Sequence, residues 1–264
     1  MKRIALLIAS LLLVTGCAQN TTERVWEDGI AVKLYFVADT PRGFKLFSEE
    51  QLSSDFYDLN LQVISDLVSG KVAPLDPDYV NLWGGSNTVN SVNVKDSVAT
   101  VDLGAISLNV GAEAEQRAID QIVWTLTEIA PEVKSVAFTV DGKTVESFAG
   151  HVDTTAQFAR AIDYEVLNPI QISSLNEGAE VISPLVISGQ ACTFEANVVW
   201  KLLQGDTVVK EGFTTATSGC PDRGDWSISF DNLEAGQYTI QAVEYSAEDG
   251  SLFAIDDKKF TVKK

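Results

Sequence analysis

Two helical patterns lie before residue 165 and none after it, and this asymmetry constrains the fold more than any other feature of the chain. Tyr57, Leu61, Ile64 and Val68 recur at helical spacing. They predict a helix over Ser54 to Ser69, with Gly70 as its C-terminal stop. Ile119, Ile122, Val123, Leu126 and Ile129 form one apolar face of a second helix, Ala112 to Ile129, which Pro131 ends. Beyond Glu165 the pattern is strands and turn residues alone. That change of character predicts two domains, residues 30–164 and 165–264.

The remaining signals in the first region are extended. Ala31 to Val37 is dense enough in apolar residues for a buried strand, and Pro41 with Gly43 marks a turn before a second extended segment, Lys45 to Leu52. Val92 to Lys95 and Val98 to Leu103 predict a hairpin around Asp96. Val133 to Val140 alternates cleanly into Asp141-Gly142, a two-residue hairpin signal that predicts a further strand over Lys143 to Phe148. The fold class expected for this half is α+β, a mixed sheet backed by two helices.

After residue 165, seven short strands are predicted: Ile170–Ser173, Leu185–Gly189, Asn197–Leu203, Val208–Thr215, Trp226–Phe230, Tyr238–Tyr245 and Phe253–Val262. Short strands parted by turn residues argue for an immunoglobulin-like sandwich. Trp200 alternates inward with Val198 and Leu202 as a core anchor. Tyr238 stands where such sandwiches place a tyrosine at the start of a late strand. The usual inter-sheet cysteine two residues later is replaced by Ile240. The pair Cys192 and Cys220 is therefore a local clamp if oxidised, with free buried thiols as the alternative. A zinc site is disfavoured, because two thiols need two more ligands and the chain has a single histidine, His151.

At the N-terminus, Lys2 and Arg3 precede an apolar run from Ile4 to Val14. The run is too short for a bilayer, which needs about 20 residues, and suits a secretory signal over residues 1–16. Val14-Thr15-Gly16-Cys17 resembles a bacterial lipobox. The resemblance implies cleavage before Cys17, lipidation of its thiol (palmitate among the acyl chains), and a polar tether over residues 17–29. The chain would then work on the extracytoplasmic face of a cell membrane. Net charge of −18 over 264 residues repels phosphate backbones, so nucleic acid is excluded as a partner.

Several separated blocks carry a family resemblance. Val98–Leu103, Gln121–Thr127, Val133–Lys143 and Phe148–Asp153 resemble the GerMN domain of sporulation and germination proteins. Ile182–Gly189, Phe194–Trp200, Glu211–Thr215 and Val243–Gly250 resemble the immunoglobulin-like domain found behind GerMN in spore-germination-type lipoproteins. The resemblance implies a non-enzymatic role in assembling a cell envelope or spore envelope, with envelope proteins or further copies of the chain as partners. The alternative is a lipoprotein that binds a cell-wall glycan or small solute.

No residue set makes a convincing catalyst. His151 beside Asp153 invites a general-base reading, but a loop histidine can equally bond backbone. Asp76 and Asp78 lack the spacing of a calcium loop. Asp222, Asp225, Asp256 and Asp257 are candidates to meet at sandwich loops around a cation. Trp26, Trp83 and Trp226 are candidates to line a glycan groove, with core packing as the simpler role. No cofactor and no metal are expected.

Overall fold

The computed structural model describes residues 29–53 and 57–264. Cys17, Trp26 and the start of the expected first helix at Ser54 lie outside them.

Strands β1 (Ile30–Thr40) and β2 (Gly43–Ser53) form one long antiparallel hairpin, paired from Ile30↔Ser53 to Thr40↔Gly43. Gly43 takes φ 81° to close it. Helix α1 (Leu59–Val68) starts where the Asp58 carboxylate accepts the Leu61 N–H, a normal N-cap. It buries Val63, Ile64, Leu67 and Val68. The expected face shifts accordingly: Tyr57 is exposed, because the helix begins after it. β3 (Val89–Lys95) and β4 (Val98–Leu103) pair through a turn in which Asp96 and Ser97 both have positive φ, the geometry that matches strand twist. α2 (Ala112–Ile129) runs as expected, and β5 (Ser135–Val140) joins β4 in parallel.

The strands of this half form two separate sheets, the β1-β2 hairpin and the order β3-β4-β5. Both helices contribute to one core containing Leu34, Phe36, Ile64, Leu67, Ile119, Ile122, Leu126, Val101, Val136 and Phe138. α2 is buried on more than its apolar face. The Gln121 amide donates to the Tyr35 carbonyl at 3.0 Å, and the Thr125 hydroxyl accepts the Tyr35 N–H at 3.2 Å. Polar helix side chains thus serve backbone groups of β1 that a neighbouring strand would otherwise take.

The predicted strand over Lys143 to Phe148 is absent. Asp141 and Gly142 do turn the chain, both at positive φ, but pairing stops at a single Val140↔Lys143 bridge. The physical reason is Glu115 on α2, which binds the N–H groups of Phe148 and Ala149 and draws the chain away from the sheet. Phe158 bridges Val136 instead.

A short helix, α3 (Asp163–Val166), leads into the second half. There β6 (Ile170–Ile172), β7 (Ala179–Val181), β8 (Leu185–Ala191), β9 (Asn197–Gln204), β10 (Thr207–Thr215), β11 (Gly224–Phe230), β12 (Gly236–Tyr245) and β13 (Leu252–Val262) follow. They form two sheets, β11-β8-β6 and β10-β9-β12-β13-β7. Their facing residues, among them Ile187, Val198, Leu202, Trp226, Ile240 and Phe260, make a second core. β7 is an unpredicted strand, three residues long and parallel to β13. Gly189 must be glycine, since a Cβ there would stand 1.9 Å from the Gln171 carbonyl oxygen. The Tyr238 hydroxyl donates to the Glu234 carbonyl at 3.1 Å, the tie expected of a sandwich tyrosine at this corner.

Candidate functional site at the domain interface

Alternation along β13 turns Ala254, Asp256, Lys258, Phe260 and Val262 toward the sandwich interior, and all five are buried. Two of these interior positions are charged. Such charges persist only when paired and hydrogen-bonded. Their partners come from the other half of the molecule. Lys258 Nζ lies 2.7 Å from Asp76 Oδ2, 2.7 Å from the Tyr79 hydroxyl and 2.7 Å from Asp256 Oδ1. Tyr79 donates its hydroxyl to Asp256 Oδ1 at 2.9 Å, and the Ile172 N–H fills Asp256 Oδ2 at 2.6 Å.

The loop that brings Asp76 and Tyr79 is fixed from within its own domain. Glu49 on β2 accepts the N–H groups of Leu75 and Asp76, each at 2.8 Å. The Tyr79 ring stacks on Phe47 with centroids 4.6 Å apart. Burial opposes the charge of Lys258, yet Asp256 and Asp76 beside it hold its pKa above the ordinary lysine range. Burial likewise pushes the Tyr79 phenol well above its usual range, so it remains a donor.

Further ties surround this cluster. Asn168 N–H donates to the Leu46 carbonyl, and the Gln171 amide donates to the Ser48 carbonyl at 2.7 Å. Lys45 and Arg117 both reach the Glu165 carbonyl. The Arg42 guanidinium lies 4.2 Å from the Phe253 ring centroid. Val166 and Leu167 enter a small apolar cluster with Tyr35, Val37, Leu46 and Trp124. The two halves are therefore joined by a charged centre within a polar and apolar surround.

The other sites expected from sequence fall out as follows. Cys192 and Cys220 are joined in a disulfide, Cα to Cα 4.5 Å. His151 is exposed in an open cavity of about 400 Å³ with Glu146, Ser147 and Asp153. It has no hydrogen bond to Asp153, whose carboxylate binds the N–H and hydroxyl of Thr155. What holds this loop is Glu115, fully buried. It accepts the hydroxyl of Ser147 and the N–H groups of Phe148, Ala149, His151 and Val152, at 2.7–3.2 Å. Asp225 bonds Gln190 while Asp256 is in the buried cluster, and among the described residues no three His, Cys, Asp or Glu side chains converge to hold a metal ion. Trp83 and Trp226 are core residues, 4% and 3% exposed, and neither ring offers a stacking surface.

Sequence reading missed Lys258, Tyr79, Glu49 and Glu115. A signal was present for two of them. Asp256 and Lys258 occupy interior positions of an otherwise apolar alternation. Glu115 lies three, four and seven residues before Ala118, Ile119 and Ile122, on the apolar stripe of α2.

Comparison with known proteins finds two families on separate parts of the chain. Residues 33–146 match the family described as sporulation and spore germination, and residues 169–251 match the immunoglobulin-like domain of bacterial spore germination. The class is thus a GerMN domain followed by an immunoglobulin-like domain. The first part of the chain carries a domain of the sporulation and spore germination family, and the second an immunoglobulin-like domain of the bacterial spore germination type. Among solved structures, a protein described as a lipoprotein of Clostridium perfringens is 25% identical, over 50% of this chain and 88% of that one, with a TM-score of 0.36. The first GerMN domain of the sporulation protein GerM from Bacillus subtilis is 19% identical over 50% of this chain and 98% of that one, TM-score 0.42. The tandem GerMN domains of the same protein are 16% identical over 78% and 62%, TM-score 0.42. No curated protein sequence matches the chain. Among the described residues no helix is long and apolar enough to cross a membrane.

Proposed function

We propose that this chain is a non-enzymatic, lipid-anchored extracytoplasmic protein that docks or scaffolds a cell-envelope or sporulation-type assembly. The observation that carries the reading is the buried junction of Lys258, Asp256, Asp76 and Tyr79. It fixes two domains of germination-associated type into one body, so that surfaces of both face a partner in a set orientation. Scaffolding benefits from such rigidity, because no interdomain freedom is lost on docking. Cys17, acylated, would hold this body at the membrane, and durable anchoring follows from two or more chains at about 0.8 kcal/mol per buried methylene. Envelope proteins or further copies of the chain are the partners.

The test combines fractionation with crosslinking in the host cell. The intact chain is expected in the membrane fraction, crosslinked to a defined set of envelope proteins or to itself. Cys17→Ser should move it to the soluble extracytoplasmic fraction and deplete those crosslinks. Retention of Cys17→Ser in the membrane with its signal removed would overturn the anchor, and an intact chain that yields no specific crosslinks would overturn the docking role.

A further inference from the structure

The outer face of the five-stranded sheet is concave where β9, β12 and β13 run side by side. A groove of about 600 Å³ opens there, within the 300–1,000 Å³ typical of ligand sites. Its floor consists of cross-strand pairs that point away from the core: Gln237↔Thr261, Thr239↔Lys259 and Gln241↔Asp257. Leu203 on β9 sits beside Thr239. Glu177–Gly178 and Gly205–Asp206 stand at its sides.

The walls and floor are held in place. Glu177 Oε2 accepts the Lys259 N–H at 2.7 Å, and the Gly178 N–H donates to the Lys259 carbonyl at 2.7 Å, which fixes one side against β13. The Gln241 amide reaches Asp257 Oδ2 at 3.3 Å, orienting both groups. Along each strand like-facing side chains recur about every 6.8 Å, and neighbouring strands lie about 4.8 Å apart. The groove therefore presents a fixed grid of amide, hydroxyl and carboxylate groups.

That chemistry selects among ligands. Protein interfaces rely on buried aromatic or Arg anchors, and the two aromatic residues that border the groove, Tyr238 and Phe260, both turn their rings into the core cluster, with the Tyr238 hydroxyl spent on Glu234. Glu177, Asp206 and Asp257 outnumber Lys259, so a polyanion is repelled. A neutral chain rich in hydroxyl and amide groups matches the grid. We propose that this groove is a binding site for a neutral oligosaccharide, recognised by Gln237, Thr239, Gln241 and Asp257. The proposal does not depend on the docking role above.

The test is calorimetric titration of the full chain in detergent with a β-1,4-linked N-acetylglucosamine hexamer, with a cellulose hexamer and dextran sulfate as comparators. Saturable binding of one or both neutral hexamers is expected, and none of dextran sulfate. Thr239→Ala with Gln241→Ala removes two polar partners from the half-buried outer face of the sheet, where the one side-chain hydrogen bond lost is the long Gln241–Asp257 contact, so the melting midpoint should change little while affinity falls about tenfold or more. A second variant, Thr239→Tyr, fills the groove and should abolish binding. Failure of both neutral hexamers to bind, preferential binding of dextran sulfate, or unchanged affinity in both variants would each overturn the site.

Discussion

Lys258 and Glu115 are both buried charges, and they are held in opposite ways. Lys258 is surrounded by side chains from two domains, Asp76 and Tyr79 from one and Asp256 from its own. Glu115 is surrounded mainly by backbone N–H groups of one loop within a single domain. The first arrangement exists only when two folded domains meet, so it specifies their pairing. The second exists once a single domain folds, and it shapes a segment that has no regular structure. The same requirement, that a buried charge be satisfied, yields an assembly device in one place and a loop template in the other.

The largest expected effect comes from breaking the first. Lys258→Met leaves Asp76 and Asp256 buried without their cation, and removing one partner of a buried pair typically costs about 3–5 kcal/mol. Chemical denaturation should show this loss, and the two domains should unfold in separate transitions. A single cooperative transition at unchanged midpoint would show that the cluster does not join them. The complementary variant sharpens the point. Lys258→Met combined with Asp256→Leu and Asp76→Leu removes all three charges, and apolar replacement of buried ion groups is often neutral or stabilising by about 1–4 kcal/mol. Recovery of part of the lost stability is expected, because the Ile172 N–H and the Tyr79 hydroxyl lose their acceptor in the same variant. If the triple variant is as unstable as Lys258→Met, packing at the junction rather than unpaired charge is responsible.

A smaller effect is expected at Glu115. Glu115→Gln keeps one acceptor but points an amide donor at several N–H groups. Leaving buried donors unmatched costs about 1–3 kcal/mol each at most, and the loss here should be local. Hydrogen exchange should quicken at Phe148, Ala149, His151 and Val152, while amides of β12 and β13 keep their protection. Loss of protection in the sandwich as well would make Glu115 a global determinant and dissolve the contrast with Lys258.

These two devices also mark where sequence reading stops. α2 and β4 were legible to both ends, because their periodicities of 3.6 and 2 arise from local geometry that the residues themselves display. Most sandwich strands were legible to within a few residues for the same reason. The strand expected over Lys143 to Phe148 was misread because Asp141-Gly142 reports only the turn. What the chain does next is decided by Glu115, more than thirty residues away in sequence. β7 was invisible, since three residues carry no measurable alternation. The second buried face of α2 was hidden because Gln121 and Thr125 look solvent-facing, while their polar atoms are in fact bonded to β1. The interface cluster shows the same limit. The alternation of β13 marks Asp256 and Lys258 as interior, but their partners Asp76 and Tyr79 lie some 180 positions earlier, and nothing local in the sequence connects them.

The smallest and most local prediction follows from acid. Burial alone would raise the pKa of Glu115. The N–H groups of Ala149 and His151, with the Ser147 hydroxyl and the Phe148 N–H, outweigh that and hold it below the ordinary glutamate value. A carboxylate with a depressed folded-state pKa contributes stability that is fully present above its unfolded pKa of about 4.3 and is lost as pH falls through the lower folded value. The loop should therefore stay clamped at neutral pH and release only in acid, once the pH has fallen below the ordinary glutamate range. Lys258 titrates the other way. Its raised pKa favours the charged, paired form, so its own contribution is present below the ordinary lysine range and fades as pH climbs past it, while burial raises the pKa of its partner Asp256, which gains its proton at a higher pH than Glu115 does. Backbone exchange at Phe148, Ala149, His151 and Val152, followed downward from pH 6, should rise relative to intrinsic rates as Glu115 takes up its proton, separately from any change at the interface amide of Ile172, whose acceptor Asp256 is protonated at higher pH. In Glu115→Gln that acid step should vanish, because no proton is left to bind. Simultaneous release of both regions would mean that the loop and the junction open as one unit, and that the two buried charges are not independent.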